Sequence, residues 1–212
     1  MYQLFGMSKV AAAFGTVAAF IALILWQVSE PAQVWRVASL SVSITGVLML
    51  LVGQTAAFPW LCRLRLVRNY FPPIDGKWRG EFHSNYSEIA KAFNLPLPDA
   101  TIPIIVDFKI KARLFHVRIH TESVSPKQRY MRADSTAFSI MRCSHSGRDV
   151  IHYVYDAFIG NPVVSDVDSF YGAARLMIIG EGKDLVLEGT YWTDRNWQRG
   201  YNTAGSLILT RS

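Results

Sequence analysis

Two long uncharged runs open the chain: Val10 to Val28, nineteen residues, and Val37 to Cys62, twenty-six, the second stopped by Arg63, Arg65 and Arg68. A hydrocarbon core about 30 Å thick needs roughly 20 apolar residues of helix, so each run predicts a membrane span. Beyond Pro72 and Pro73, a short stiff joint, the period changes to two. Apolar and polar residues alternate over short stretches separated by polar turns, the signature of half-buried strands. The pattern divides the chain into a two-helix hairpin, residues 1–73 with spans at about 10–28 and 37–62, and an all-β domain, residues 74–212.

The strands follow in order. Gly76 to Ser84 alternates Trp78, Gly80 and Phe82 with Lys77, Arg79 and Glu81. Ser87 to Phe93 has the makings of one or two helical turns, and Pro96, Pro98 and Pro103 forbid a long element there. Ile104 to Lys111 is a strand with Val106, Phe108 and Ile110 on one face; Phe115, Val117 and Ile119 take the opposite parity, so a tight turn or bulge falls near Ala112 to Leu114. Ser135 to Cys143 and Val150 to Phe158 flank a hairpin signal at Ser144 to Asp149. Gly172 to Gly180 and Leu185 to Thr193 flank another at Glu181 to Asp184, and Gly205 to Arg211 closes the series. Eight antiparallel strands joined by short turns predict an up-and-down β-barrel, lipocalin-like in shape, whose closure removes the sheet edges. Such a barrel fills itself with side chains or holds one small ligand. A two-sheet sandwich is the competing architecture.

Charge sharpens this picture. The net charge of +6 is concentrated in the hairpin, where Lys9, Arg36, Arg63, Arg65 and Arg68 oppose only Glu30. The β domain is nearly balanced, which excludes the basic stripe of a protein that tracks DNA or RNA but leaves room for a small anionic ligand. The three arginines after the second span place the barrel and both termini in the cytoplasm by the positive-inside rule. Cys62 and Cys143 read as free thiols of a reducing compartment, and with no clustered histidines a zinc site is not expected. A weak n-region and a long apolar stretch argue against a cleaved signal peptide.

Within the hairpin no Asp, Glu, Lys or Arg interrupts either span, so neither a proton relay nor an ion-selective pore is indicated. Trp26, Trp35 and Trp60 are placed as interfacial anchors. Ala11, Gly15 and Ala19 form a row of small residues, the kind through which membrane helices approach one another. That row packs the first span on the second, or it joins subunits.

Candidate chemistry in the barrel is aromatic and cationic rather than catalytic. Trp78, within Gly76-Lys-Trp-Arg-Gly80, is placed to plug one end; lipocalins pack a similar Trp against an Arg near the final strand, and Arg211 stands where that partner is needed. Tyr191 and Thr193 share parity with Leu185 and Leu187, hence the interior, and Arg195 follows in a polar aromatic loop reaching Thr203. An aromatic face with a hydroxyl and a guanidinium suits a nucleobase and phosphate; the alternative is a solvated loop with Tyr191 as core filler. Tyr153 and Tyr155 share one strand face. Arg175 lies on the next strand, where a buried guanidinium would need an anion from Asp156, Glu188 or a ligand. The candidate ligand-binding set is therefore Tyr153, Tyr155, Arg175, Tyr191, Thr193 and Arg195. His116, Arg118 and His120 read as an exposed polar face rather than a metal site, and Asp166 and Asp168 as solvated loop acids. No nucleophile elbow, phosphate-binding glycine loop or helix-borne His pair occurs, so no enzymatic activity and no cofactor are expected.

The order of parts, together with Gly76-Lys-Trp-Arg-Gly80, Gly189-Thr-Tyr191 and Gly205-Ser-Leu-Ile-Leu-Thr-Arg211, resembles over essentially the full length the two-transmembrane, β-strand-rich effectors of bacterial cyclic-oligonucleotide antiphage (CBASS) systems, in which a barrel does the work of a STING receptor. The resemblance implies that a nucleotidyltransferase makes a cyclic dinucleotide after phage infection and that the barrel binds it. Homo-oligomerisation through the membrane helices, disruption of the inner membrane and death of the infected cell would follow. Two other classes stay open: a membrane-tethered lipocalin-like barrel that binds a lipid or other apolar molecule, and a packed scaffold that binds partners on its outside.

Overall fold

The structure is a computed structural model and describes residues 7–28, 34–95, 103–123, 130–162 and 166–212. The link between the spans and the stretch containing Pro96 and Pro98 lie outside the described residues. Contacts divide the chain into two units, one of helices through Pro73 that also takes in residues 113–116, the other holding the remaining strands.

In the helical unit, α1 (Met7–Val28) and α2 (Val34–Gln54) are long and apolar enough to cross a bilayer. Their contact is built on α2 from Val37, Ser41 and Thr45, one face at four-residue spacing. Ser41 donates its hydroxyl to the Ala38 carbonyl at 2.8 Å and Thr45 to the Ser41 carbonyl at 2.6 Å, so both polar groups are satisfied without water. On α1 the half-buried positions include Phe14, Ala18, Ile21 and Leu25, whereas Ala11, Gly15 and Ala19 are exposed and nothing approaches the place a Gly15 Cβ would occupy. The small-residue row therefore does not pack the first span on the second.

The second span is shorter than its uncharged run. The run continues to Cys62, but α2 ends at Gln54 and a separate short helix, α3 (Ala57–Leu61), follows before α4 (Arg65–Arg68). Pro59 explains the break: it has no N–H, and its ring clashes with the carbonyl four residues earlier in an unbroken helix, here that of Thr55.

The second unit is a closed barrel of eight antiparallel strands in sequence order, as the alternation predicts, with β8 returning to β1. The strands are β1 (Gly76–Ser84), β2 (Ile104–Arg113), β3 (His116–Ser123), β4 (Met131–Arg142), β5 (Asp149–Ile159), β6 (Ser169–Ile179), β7 (Val186–Thr193) and β8 (Ala204–Arg211), and α5 (Tyr86–Ala92) sits between β1 and β2. β4 starts four residues before the alternation that begins at Ser135, because a bulge between Ser135 and Ala137 shifts its register against β5. Ala133 and Phe138, of opposite parity, are both buried as a result. The β4–β5 turn closes with the Gly147 N–H donating to the Cys143 carbonyl at 2.8 Å. Gly147 takes φ +63° there, a conformation that favours glycine.

Trp78 closes one end of the barrel. It is fully buried, donates its indole N–H to the Ile74 carbonyl at 2.9 Å, and carries the Arg211 guanidinium 4.7 Å from its ring centroid. Trp78 and Arg211 are direct neighbours across the β1–β8 seam, so the pairing expected from the sequence follows from register. Val106, Ile110, Ile151, Leu176, Leu187, Leu207 and Leu209 are each at most 1% exposed. They fill the interior with aliphatic side chains.

Candidate functional site

Toward the opposite end the interior changes from aliphatic to aromatic and hydroxylated. Register explains why. Across β5, β6, β7 and β8, Tyr153 stands beside Ala174, then Tyr191, then Gly205; one step further, Tyr155 stands beside Gly172, then Thr193. Each tyrosine thus projects inward over a small residue on the neighbouring strand. A methyl group added to Gly172 would fall within 2.6 Å of Cε2 of Tyr155, so glycine there makes room for the phenol. Tyr153 and Tyr155 lie 5.7 Å apart between ring centroids, and Tyr191 meets Phe82 edge-on at 4.9 Å. Phe82 in turn stacks on Phe108 at 5.8 Å. Burial raises the phenol pKa of all three tyrosines above the ordinary 10.0, so they are neutral donors and acceptors. The hydroxyls of Tyr153 and Tyr155 have no hydrogen-bond partner among the described residues.

The rim at this end is built by the loop after β7 and by the approach to β6. Thr193 and Thr203 tie the loop's base, through the Thr193 N–H to the Thr203 carbonyl at 2.9 Å and through their hydroxyls at 3.0 Å. Beyond it, Arg195 forms a bidentate ion pair with Asp166, its Nε 2.9 Å from Oδ1 and its Nη2 on Oδ2. Asn196 adds a donor to the same carboxylate at 3.1 Å. The Asp166 side chain is only 6% exposed. Burial alone would push its pKa up, but the hydrogen bonds and charge of Arg195, helped by Asn196, outweigh that and hold the carboxyl below the usual carboxylate range. The Arg195 guanidinium also lies 5.6 Å from the Phe170 ring centroid. Asp166 is thus a bound partner, not the solvated loop acid that its sequence context indicates.

A cleft of about 440 Å³ opens beside this pair, lined among others by Asp156, Phe170, Tyr171, Asp194, Trp197 and Arg199. Its size is in the range of small-molecule pockets. Phe170 is buried on the inward face of β6 and also lines the cleft.

The structure brings Tyr153, Tyr155, Tyr191 and Thr193 together inside the barrel and sets Arg195 above them at the rim. Arg175 is apart from the group. Gly172, Ala174 and Leu176 point inward on β6, so Arg175 points outward and is exposed; the interior guanidinium considered from the sequence is not formed. Thr193 spends its hydroxyl on Thr203. Phe82, Phe170 and Trp197 are site residues not singled out from the sequence, and Asp166 is one that the sequence assigns to solvent. The parity shared with Trp78 marks Phe82 as interior, whereas nothing local marks the pairing of Asp166 with a residue 29 positions away. His120 is held on the outer surface by Asp134, Nδ1 to Oδ1 2.7 Å, and among the described residues no three His, Cys, Asp or Glu side chains converge as metal ligands.

No family model matches the chain. It is similar to CD-NTase-associated protein 15 of Escherichia albertii, 28% identical over 146 residues, which is 69% of this chain and 66% of that protein. The match thus spans just under two thirds of the curated relative's length. The chain is a homologue of a CBASS-associated protein, in line with the resemblance read from its sequence, and it joins two apolar helices to a closed eight-stranded barrel.

Proposed function

We propose that this protein is the effector of a CBASS antiphage system, and that its barrel is the receptor for a cyclic dinucleotide. The similarity to a CD-NTase-associated protein, in a chain that joins two candidate spans to a ligand-sized barrel, is the observation that carries this reading. The rim supplies fitting chemistry. Tyr171 and Trp197 offer exposed aromatic faces for bases, and Arg195 and Arg199 offer guanidinium groups for the two phosphates. The unpaired hydroxyls of Tyr153 and Tyr155 inside the barrel offer further polar contacts for a base edge. In this mechanism phosphate competes with Asp166 for Arg195, so ligand entry rearranges the loop that follows β7.

Binding shifts assembly only through a preference for the assembling state. Confinement to the plane of the bacterial inner membrane raises the local concentration, so a modest preference is sufficient. Assembly through the exposed Ala11–Gly15–Ala19 row of α1 then disrupts the bilayer and kills the infected cell. The lipid-binding alternative is disfavoured by the aliphatic half of the barrel, whose interior is occupied by its own side chains.

The test is calorimetric titration of the full chain in mild detergent with cyclic di- and trinucleotides. Saturable binding of one of them, about one per barrel, is the expected result. No heat from any member of a complete panel, with the barrel folded, would refute the receptor reading.

A further inference from the structure

The outer face of β5, β6 and β7 carries three parallel rows, of which the proposed receptor function uses only Tyr171. Register sets them out across the strands. His152, Arg175 and Thr190 form one row and Val154, Ala173 and Trp192 the next; Asp156 and Tyr171 form the third, joined by Asp194 just past β7, whose Oδ1 accepts from the Tyr171 backbone N–H at 2.7 Å. All point away from the barrel interior, with Val154 42%, Trp192 49% and Tyr171 62% exposed. A row carrying the Arg175 cation, an apolar row and an acidic row thus lie side by side on one convex sheet face. Neither Arg175 nor Asp156 makes an ion pair among the described residues.

We infer that this face docks a second copy of the same chain, barrel to barrel, about a two-fold axis running across the strands along the Val154–Ala173–Trp192 row. The charge pattern selects the occupant and the axis. A two-fold contact sets the same patch against itself. With the axis across the strands, the rotation reverses the order of the rows. Arg175 then faces the second copy's Tyr171, flanked by that copy's Asp156 and Asp194, and His152 faces its Asp156. The apolar rows meet on the axis, where Trp192 stacks on its own symmetry mate. An axis along the strands would instead set Arg175 against Arg175 and Asp156 against Asp194, which like-charge repulsion forbids. Facing Tyr171, the Arg175 guanidinium gains an aromatic face as well as two carboxylates. Tyr171, Asp156 and Asp194 also border the rim cleft, so pairing brings a cation from the second copy to an acidic wall.

The test uses the full chain in mild detergent, with Cys143 replaced by Ser and a new cysteine introduced by Ala173→Cys, treated with a short bis-maleimide. Position 173 lies on the axis, so covalent dimers are expected. A parallel Lys109→Cys variant, on the outer face of β2 on the far side of the barrel, reports any cross-linking caused by association elsewhere in the chain. Adding Arg175→Glu should abolish the dimer at position 173, and adding Asp156→Arg to that variant should restore it. Both sites are exposed, so neither substitution threatens the fold. Cross-linking at 173 no greater than at 109, or cross-linking unaffected by Arg175→Glu, would overturn the proposal.

Discussion

Replacing Trp78 with Ala should come close to unfolding the barrel. The side chain is completely buried, donates to the Ile74 carbonyl at 2.9 Å and supports the Arg211 guanidinium 4.7 Å from its ring. Truncating a buried Trp to Ala costs about 3–5 kcal/mol through lost transfer energy and cavity formation. The missing hydrogen bond adds about 1 kcal/mol. Arg211, whose Nη1 donates to the Asp75 carbonyl at 3.3 Å, loses a ring contact worth about 2 kcal/mol when desolvated. These effects overlap at one site, yet together they rival the roughly 5–15 kcal/mol that holds a typical domain folded. Trp78→Phe keeps an aromatic face under Arg211 and loses the hydrogen bond with part of the volume, so it should be distinctly milder. Denaturant unfolding of the full chain in mild detergent, followed by the circular dichroism of the strands, measures both. Trp78→Ala within about 1 kcal/mol of wild type would refute the end-plug account, because no cavity of that size is so inexpensive. Equal losses from Phe and Ala would instead show that the guanidinium–ring contact contributes nothing.

Three further outcomes follow from the same geometry. Tyr153→Phe and Tyr155→Phe keep the interior packing, so they should weaken cyclic dinucleotide affinity severalfold with little change in melting temperature; calorimetry and a thermal melt on the same samples separate the two effects. Asp166 is held below the ordinary carboxylate value of 3.8 in the fold, so its stabilising contribution is complete above that value and disappears as pH falls through its lowered folded pKa. The melting temperatures of wild type and Asp166→Asn should therefore differ at neutral pH and converge in strong acid; a constant gap would mean that the Arg195 pair contributes no linkage. Gly15→Leu should impair assembly in the membrane while leaving nucleotide affinity unchanged, as native mass measurement and calorimetry would show.

Period-two alternation made most of the barrel legible, since each strand presents one face to a closed core and a one-residue slip would invert it. It failed where covalent geometry or side-chain size hides the period. At β4 the bulge between Ser135 and Ala137 shifts the parity, so the residues before Ser135 do not continue the pattern after it. Along β6 the inward positions include Gly172 and Ala174, too small to announce a core face, and Arg175 could not be assigned a side from its neighbours. In the second span hydropathy ran on to Cys62, while Pro59 ended the helix through backbone sterics that hydropathy does not measure. The site divides in the same way. Tyr191 and Thr193 were readable as interior from Leu185 and Leu187 on their own strand. The Asp166–Arg195 pair joins two loops through space, and no local periodicity encodes it.

The central claim couples a ligand at the barrel to an event in the bilayer, and one measurement addresses both. The full chain is reconstituted into dye-loaded vesicles and exposed in turn to each cyclic di- and trinucleotide. The account predicts dye release that requires both the protein and one specific nucleotide, and that is lost in Gly15→Leu although binding persists. Release without nucleotide, or intact vesicles at saturating amounts of a nucleotide shown to bind, would contradict it.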